Sequence, residues 1–400
     1  MPADAATADA CQDVLAVRSR PRISLKGARI GDVSTIILTC SSCQTECVAG
    51  PEMWRCSQCS SSLELSERSP FRVDAIVKDD HSLWRYRGML PVATDTSIVT
   101  MGEGMTPLIE GTMRRQKILF KLEYVSPTGS FKDRGTTVLV TKLREWGVKR
   151  AGDDSSGNAG ASLAAYCAHA RIKTEIFAPA RASSAKLSQI EIFGATLWPI
   201  AGKREKATEA IEARVRTGKL VYASHAWSPF TYEGAKTVAY EIWEQLGGHA
   251  PDCFISPIGQ GSLFIGAHRG LKDLLEAGLI STIPRMIGVQ SDRCAPVVQA
   301  VRQGLETYSR IRKRPSIAEG IALAHPIHSR EILKAIRETG GDAVAVSDAE
   351  TAATQIALAR IGFYVEPTSA VVGAAAGKLR LKGLVVAALT GSGLKSATAS

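Results

Sequence analysis

No stretch of this 400-residue chain holds 18 consecutive apolar side chains, so no segment reads as a membrane-spanning helix. The first thirty residues lack the apolar core of a secretory signal. Internal repeats and low-complexity tracts are missing as well. Aromatic side chains are scarce, at 6%, and are not interleaved with a dense Lys/Arg tract, so no nucleic-acid module is recognisable. What is present is 45% hydrophobic and 22% charged residues, a globular balance that excludes a disordered chain, a collagen and a coiled coil. The length suits two domains.

Lys and Arg outnumber Asp and Glu by 49 to 39, for a formal net charge of +10. Such a field favours anionic partners in general, and its simplest reading is a basic solvated surface, Arg312-Lys313-Arg314 included. Four of the nine cysteines, Cys11, Cys167, Cys253 and Cys294, are scattered. Scattered free thiols suit a reducing compartment and point to a cytoplasmic protein.

The other five are crowded. Cys40-x2-Cys43 and Cys56-x2-Cys59 are two pairs separated by twelve residues, with Cys47 between them. Each pair fits a tight turn that aims both thiolates inward, and two such turns close a tetrahedral all-sulfur zinc site. Residues 39–66 are therefore expected to form a small zinc ribbon on Cys40, Cys43, Cys56 and Cys59. The turns are unusual, because no glycine follows either second cysteine. Cys47 is left open, as a substitute ligand or a free thiol. A closed four-cysteine site has no open coordination position, so its role is structural.

From Lys117 onward, short apolar runs alternate with amphipathic stretches. The runs include 117–122, 174–178, 195–200, 219–224, 252–256, 285–289, 343–346 and 384–389. Helical patterns cover 136–146, 161–170, 203–216, 232–246 and 349–361. Strands interleaved with helices imply parallel sheets with right-handed crossovers. The fold class is α/β.

Three loops carry chemistry. In Ser126-Pro127-Thr128-Gly129-Ser130-Phe131-Lys132, a turn delivers Lys132 to a helix entrance. The positive end of a helix lowers an amine's proton affinity and suits an anionic ligand, as imine chemistry with a phosphorylated aldehyde requires. A phosphate-contacting or solvated lysine fits that loop equally well when it is taken by itself. Asp154-Ser155-Ser156-Gly157-Asn158-Ala159-Gly160 gathers small hydroxyl, amide and N–H donors before another helix, suited to a carboxylate. Gly259-Gln260-Gly261-Ser262-Leu263 follows a strand and opens a helix, the arrangement of a phosphate cradle. Phe264 stands where a third glycine would complete a dinucleotide fingerprint, and no G-x-x-x-x-G-K-[ST] motif of nucleotide hydrolases occurs.

Taken together in this order, the Lys132, Asn158 and Gly259 loops resemble those of the fold-type II pyridoxal-phosphate enzymes. Within them the chain is similar to threonine synthases, from the cysteine unit through Gly102-Glu-Gly-Met-Thr106-Pro107 and 227–237 to Thr390-Gly391-Ser392-Gly393-Leu394-Lys395. The resemblance implies two open twisted parallel-sheet domains around a cleft, plus the zinc ribbon. It implies boundaries at 1–38 (a flexible tail), 39–66 (the ribbon) and 67–105 (a connecting arm). The larger cofactor domain would take 106–143 and 239–396, and a small mobile domain 144–238.

The resemblance also assigns roles. Lys132 binds pyridoxal 5'-phosphate covalently and shuttles protons. Asn158 bonds its ring hydroxyl, Gly259, Gln260, Gly261, Ser262 and Leu263 hold its phosphate, and Thr390 faces its pyridine nitrogen. Ser155, Ser156, Gly157, Asn158 and Ala159 hold the carboxylate of a small amino-acid substrate. Relatives imply a homodimer, with no nucleic acid or membrane as partner.

Two departures bear on the substrate. Threonine synthases often carry Gly-Asn-Thr-Ser where this chain has Gly157-Asn158-Ala159-Gly160, and asparagine in the phosphate loop. Threonine-synthase chemistry on O-phosphohomoserine is the first expectation, with Lys186 and Arg181 as candidates for a second anion. A serine/threonine ammonia-lyase or a β-replacement synthase of the cysteate or cysteine kind is the alternative. A zinc-ribbon nucleic-acid-binding protein is the non-enzyme alternative. His225, His268 and His325 show no ligand spacing and read as surface or satisfied core residues.

Overall fold

The structure, a computed structural model, describes residues 35–180, 184–202, 204–308 and 311–396. The tail expected over 1–38 falls almost wholly outside the described residues. Three antiparallel strands come first, β1 (Ile37–Cys40), β2 (Glu46–Val48) and β3 (Leu63–Leu65), in the order β2-β1-β3.

The four expected thiols converge at the turns of this small sheet. Cys40 Sγ lies 3.4 Å from Cys59 Sγ, and Cys43 Sγ lies 3.6 Å from Cys56 Sγ and 3.5 Å from Cys59 Sγ. Backbone N–H groups of Ser42 and Cys43 donate to Cys40 Sγ, and that of Gln58 to Cys56 Sγ. Burial pushes the Cys40 thiol up to about 11, and the N–H groups of Cys43 and Ser42 pull against that shift. Gln44 and Ser60, which follow the second cysteine of each pair, hold φ of 58° and 60°. Glycine adopts that left-handed conformation freely; these side chains adopt it at a cost. Cys47 stands apart, opposite Leu38 on β2.

Next come β4 (Leu108–Met113), β5 (Gln116–Lys121), α1 (Lys132–Glu145), β6 (Arg150–Asp153), α2 (Asn158–His169), β7 (Lys173–Pro179) and α3 (Ser184–Ile192). They are followed by β8 (Thr196–Ile200), α4 (Arg204–Val215), β9 (Val221–Tyr222), α5 (Pro229–Gln245), β10 (Cys253–Pro257), α6 (Ser262–Glu276) and β11 (Arg285–Ser291). The chain ends with α7 (Pro296–Arg302), α8 (Ser329–Glu338), β12 (Asp342–Val346), α9 (Asp348–Arg360), α10 (Pro367–Ala376) and β13 (Val385–Ala388). None of the described helices is long and apolar enough to cross a membrane.

Two larger sheets result. One has the order β8-β7-β6-β9 and is parallel throughout. The other runs β12-β11-β10-β13-β5-β4. Here the expectation of wholly parallel sheets needs correction, because the edge strand β4 pairs antiparallel with β5. The hairpin turns on Arg114 and Arg115, with φ of 48° and 69°. Two consecutive positive φ values are the geometry of a tight two-residue hairpin, made here by residues that carry none of its usual Asn-Gly signal.

Helices α1, α5 and α6 pack closely on one another through glycines. A methyl group at position 234 would lie 1.9 Å from the Arg134 carbonyl oxygen, and one at 266 would lie 2.6 Å from Ala235 Cβ. The same contact buries an ion network. Arg134 bonds Glu123 and Glu241 at 2.6 Å each, and Lys121 bonds Glu241 at 2.8 Å, with all four side chains fully buried. Helix α5 runs unbroken through residue 238, where the sequence places a domain boundary.

Candidate active site

The carboxyl ends of both larger sheets face a cavity of about 220 Å³. Helix α1 begins at Lys132, four residues before the expected start, so the lysine occupies the first helical position. Its Nζ lies 3.3 Å from Ser262 Oγ and 4.5 Å from the centre of the Phe131 ring. Burial pushes the Lys132 amine down to about 8; Asp153 and Glu366 pull against that shift, and Arg204 adds to it. Desolvation therefore comes ahead of the helix field as the cause.

Helix α2 begins at Asn158, so the second loop is the turn from β6 into α2. Ser155, Ser156, Gly157, Asn158 and Ala159 all line the cavity. Asn158 Nδ2 donates to Glu366 Oε1 at 2.9 Å, while its Oδ1 is buried without a partner among the described residues. A side chain at Gly391 would lie 2.3 Å from that Glu366 oxygen, so glycine there permits the approach. The neighbouring Gly160 is equally constrained. A methyl group at 160 would lie 2.0 Å from the Ser155 carbonyl oxygen, so this backbone has no space for a hydroxyl-bearing residue.

The third loop joins β10 to α6, and Gly259, Gln260, Gly261, Ser262 and Leu263 line the cavity from there. Gly261 caps α6 with φ of 85° and makes no side-chain hydrogen bond to it. The first N–H groups of the helix are thus left for an anion. A methyl group at Gly259 would lie 2.5 Å from the Gly320 carbonyl oxygen. Thr390 reaches the cavity from the end of β13, its N–H donating to Ser369 Oγ at 2.7 Å and its carbonyl accepting from Phe131 N–H at 3.0 Å. All twelve residues named from the sequence for cofactor and substrate therefore surround one space.

Other residues were missed or misread. His225 lines the same cavity, against the expectation of a surface or core histidine, with Nδ1 2.7 Å from Asp153 Oδ2. Its signal was positional, since it follows strand β9 at the carboxyl edge of a parallel sheet, where ligands of α/β folds gather. Glu366 and Arg204 also line the cavity and carry no motif. Lys186 lines it too, 3.3 Å from Glu366 Oε2; Arg181 lies outside the described residues.

A buried lysine of lowered basicity, an orphaned amide oxygen and an uncapped helix end beside two glycines fit an aldehyde-bearing aromatic phosphate. Residues 99–391 match the family model described as pyridoxal-phosphate dependent enzyme. The chain belongs to this family. The threonine synthase of Methanocaldococcus jannaschii is 36% identical over 336 residues, covering 81% of this chain and 83% of that protein. That of Methanosarcina acetivorans is 33% identical over 343 residues, covering 83% and 84%. That of Mycobacterium tuberculosis H37Rv is 33% identical over 324 residues, covering 78% and 87%.

This pyridoxal-phosphate-dependent lyase also shares its fold with maize serine racemase, at a TM-score of 0.64 and 22% identity over 72% of this chain and 88% of the other. For the processed form of threonine deaminase isoform 2 from Solanum lycopersicum the TM-score is 0.60 and the identity 21%, over 72% and 84%.

Proposed function

We propose that this enzyme removes an activated side-chain group from an L-amino acid and adds water, converting O-phosphohomoserine to threonine and phosphate. The observation that carries the reading is the kinship with threonine synthases across four-fifths of the chain, joined to a cavity that has cations beyond the cofactor loop. When bound, pyridoxal phosphate supplies the electron sink for charge left by a departing α-proton. In this reading Lys132 holds the cofactor and moves the α-proton, and Asn158 bonds the ring hydroxyl. The backbone from Gly259 to Leu263 takes the phosphate. The hydroxyl of Thr390 meets the pyridine nitrogen as donor or acceptor without forcing its protonation, which favours elimination and replacement over transamination. Ser155, Ser156, Gly157, Asn158 and Ala159 take the substrate carboxylate.

A phosphorylated substrate brings a second anion. Arg204 makes no ion pair among the described residues, and Lys186 stands beside Glu366. These two cations support the distal phosphate site. The ammonia-lyase or β-replacement reading is favoured by the loss of hydroxyls at Ala159 and Gly160. The test is a substrate screen that follows phosphate, threonine, ammonia and keto acid together. Phosphate and threonine from O-phosphohomoserine support the reading; ammonia or substitution products from serine derivatives, without phosphate release, replace it.

The four thiols are read as a structural zinc site. A tetrahedron with Zn–S bonds of about 2.3 Å has sulfur–sulfur edges of about 3.8 Å, close to the separations seen here. A cytoplasmic homodimer, with the sheet of β6 to β9 as its smaller, mobile part, completes the reading.

A further inference from the structure

We infer that His225 is a second acid–base residue of this site, receiving the proton of the incoming water, and that Asp153 positions it. The inference rests on the replacement reaction proposed above. His225 lies just beyond β9 and Asp153 ends β6, its neighbour in the sheet. Asp153 Oδ2 is 2.7 Å from His225 Nδ1, and Asp153 is fully buried. A carboxylate on Nδ1 holds the proton there and leaves Nε2 as the basic nitrogen. Among the described residues Nε2 has no hydrogen-bond partner, and the imidazole lines the cavity that holds Lys132 Nζ.

The surrounding charges are accounted for. Asp154 faces the ring from β6, but its carboxylate is taken by Thr208 Oγ1 at 2.5 Å and Tyr222 Oη at 3.1 Å. Arg204 on α4 and Lys132 on α1 complete the neighbouring groups, with Lys186 and Glu366 across the cavity. Asp153 is the carboxylate committed to the ring, and its other oxygen has no partner among the described residues.

The chemistry needs two proton-handling groups. Lys132 is engaged with the α-carbon, whereas the water must lose a proton as its oxygen attacks the side chain. In this step the O–H bond of water breaks, the proton passes to His225 Nε2, and the oxygen's electron pair forms the new C–O bond at Cβ. Cβ has given up one proton, while Cγ, which has lost phosphate, takes one up to become the methyl group. Protonated His225 then gives that proton to the freed phosphate, so the sum is substrate plus water to threonine plus phosphate.

The experiment compares wild-type holoenzyme with His225→Gln and Asp153→Asn on O-phosphohomoserine. Cofactor absorbance, deuterium exchange at Cα and threonine formation are followed against pH. His225→Gln is expected to keep cofactor absorbance and α-deuterium exchange within about threefold, while threonine formation falls about 100-fold in kcat with little change in KM. Asp153→Asn should reduce kcat about tenfold or more and change the pH profile. Nitrogen-15 NMR of the resting wild-type enzyme should show the proton of neutral His225 on Nδ1, and that preference should be lost in Asp153→Asn.

The inference is overturned if His225→Gln forms threonine within threefold of wild type. It is also overturned if exchange and cofactor binding fall together with turnover, or if the proton resides on Nε2. Wild type that releases no phosphate refutes the substrate reading instead. The same comparison is then made on the amino acid that wild type does consume, and the NMR result stands independently of substrate.

Discussion

Trp54 and Tyr222 meet edge to face, with ring centroids 4.9 Å apart, and so join the four-cysteine unit to the wall of the cavity. Tyr222 also donates to Asp154, the residue before Ser155. Trp227 closes on the other side of Trp54, at 5.7 Å. The small unit thereby braces the loop that the substrate reading assigns to carboxylate binding.

Metal analysis is expected to find about one zinc per chain. Cys56→Ser should lose it and open the small unit, because metal-binding energy is folding energy in so small a core. Trp54→Ala should retain the metal yet cost about 2 kcal/mol of stability and reduce turnover several-fold. A Trp54→Ala protein with unchanged melting temperature and kcat refutes the bracing role.

Lys132 must be neutral to attack the aldehyde of the cofactor. With its amine at about 8, the rate at which apoenzyme captures pyridoxal phosphate should rise about tenfold per pH unit below that value and flatten above it. Stopped-flow absorbance reads this directly. Lys132→Ala should fold and form no borohydride-fixable adduct; a rate still climbing at pH 10 would contradict the lowered basicity.

Burial would raise the Glu241 carboxyl, but Arg134 and Lys121 outweigh it and hold it near 2. A carboxyl held lower in the folded state contributes stability that is present above about 4.5 and lost as pH falls toward 2. Glu241→Gln should cost about 3–5 kcal/mol by leaving buried Lys121 without its carboxylate and Arg134 with only Glu123. It should also flatten the acid limb of a stability–pH curve measured by urea unfolding.

Arg204→Gln tests the second anion site. KM for O-phosphohomoserine should rise about tenfold, the scale of one charge-assisted hydrogen bond, with kcat nearly kept. Kinetics with an unphosphorylated amino acid should not change. Equal losses on both substrates would remove Arg204 from the phosphate site.

The fold was legible where apolar runs and punctuation agreed. The strands around 174–178, 252–256 and 285–289 declared themselves as buried runs, and β7, β10 and β11 lie there. Strand β6 did not, because Arg150-Ala151-Gly152-Asp153 contains no such run, although it pairs in parallel with both β7 and β9. Helix α10 is buried on every side, so it shows no amphipathic period to read. The three chemical loops were legible because glycines and helix starts are local signals. His225, Arg204 and Glu366 were not, since what brings them to the cavity is the meeting of separate strands and helices.

Gln44 and Ser60 carry one further consequence. Each holds a left-handed backbone that costs about 1–2 kcal/mol relative to glycine, and the proposed ion must overcome it whenever the knuckle closes. That cost is subtracted from metal affinity, where about 1.4 kcal/mol is a factor of ten. The ion should therefore exchange faster here than in a glycine-turned knuckle. Glycine at both positions should tighten binding of the proposed ion about tenfold for each 1.4 kcal/mol of strain removed, and slow its loss to a chelator accordingly.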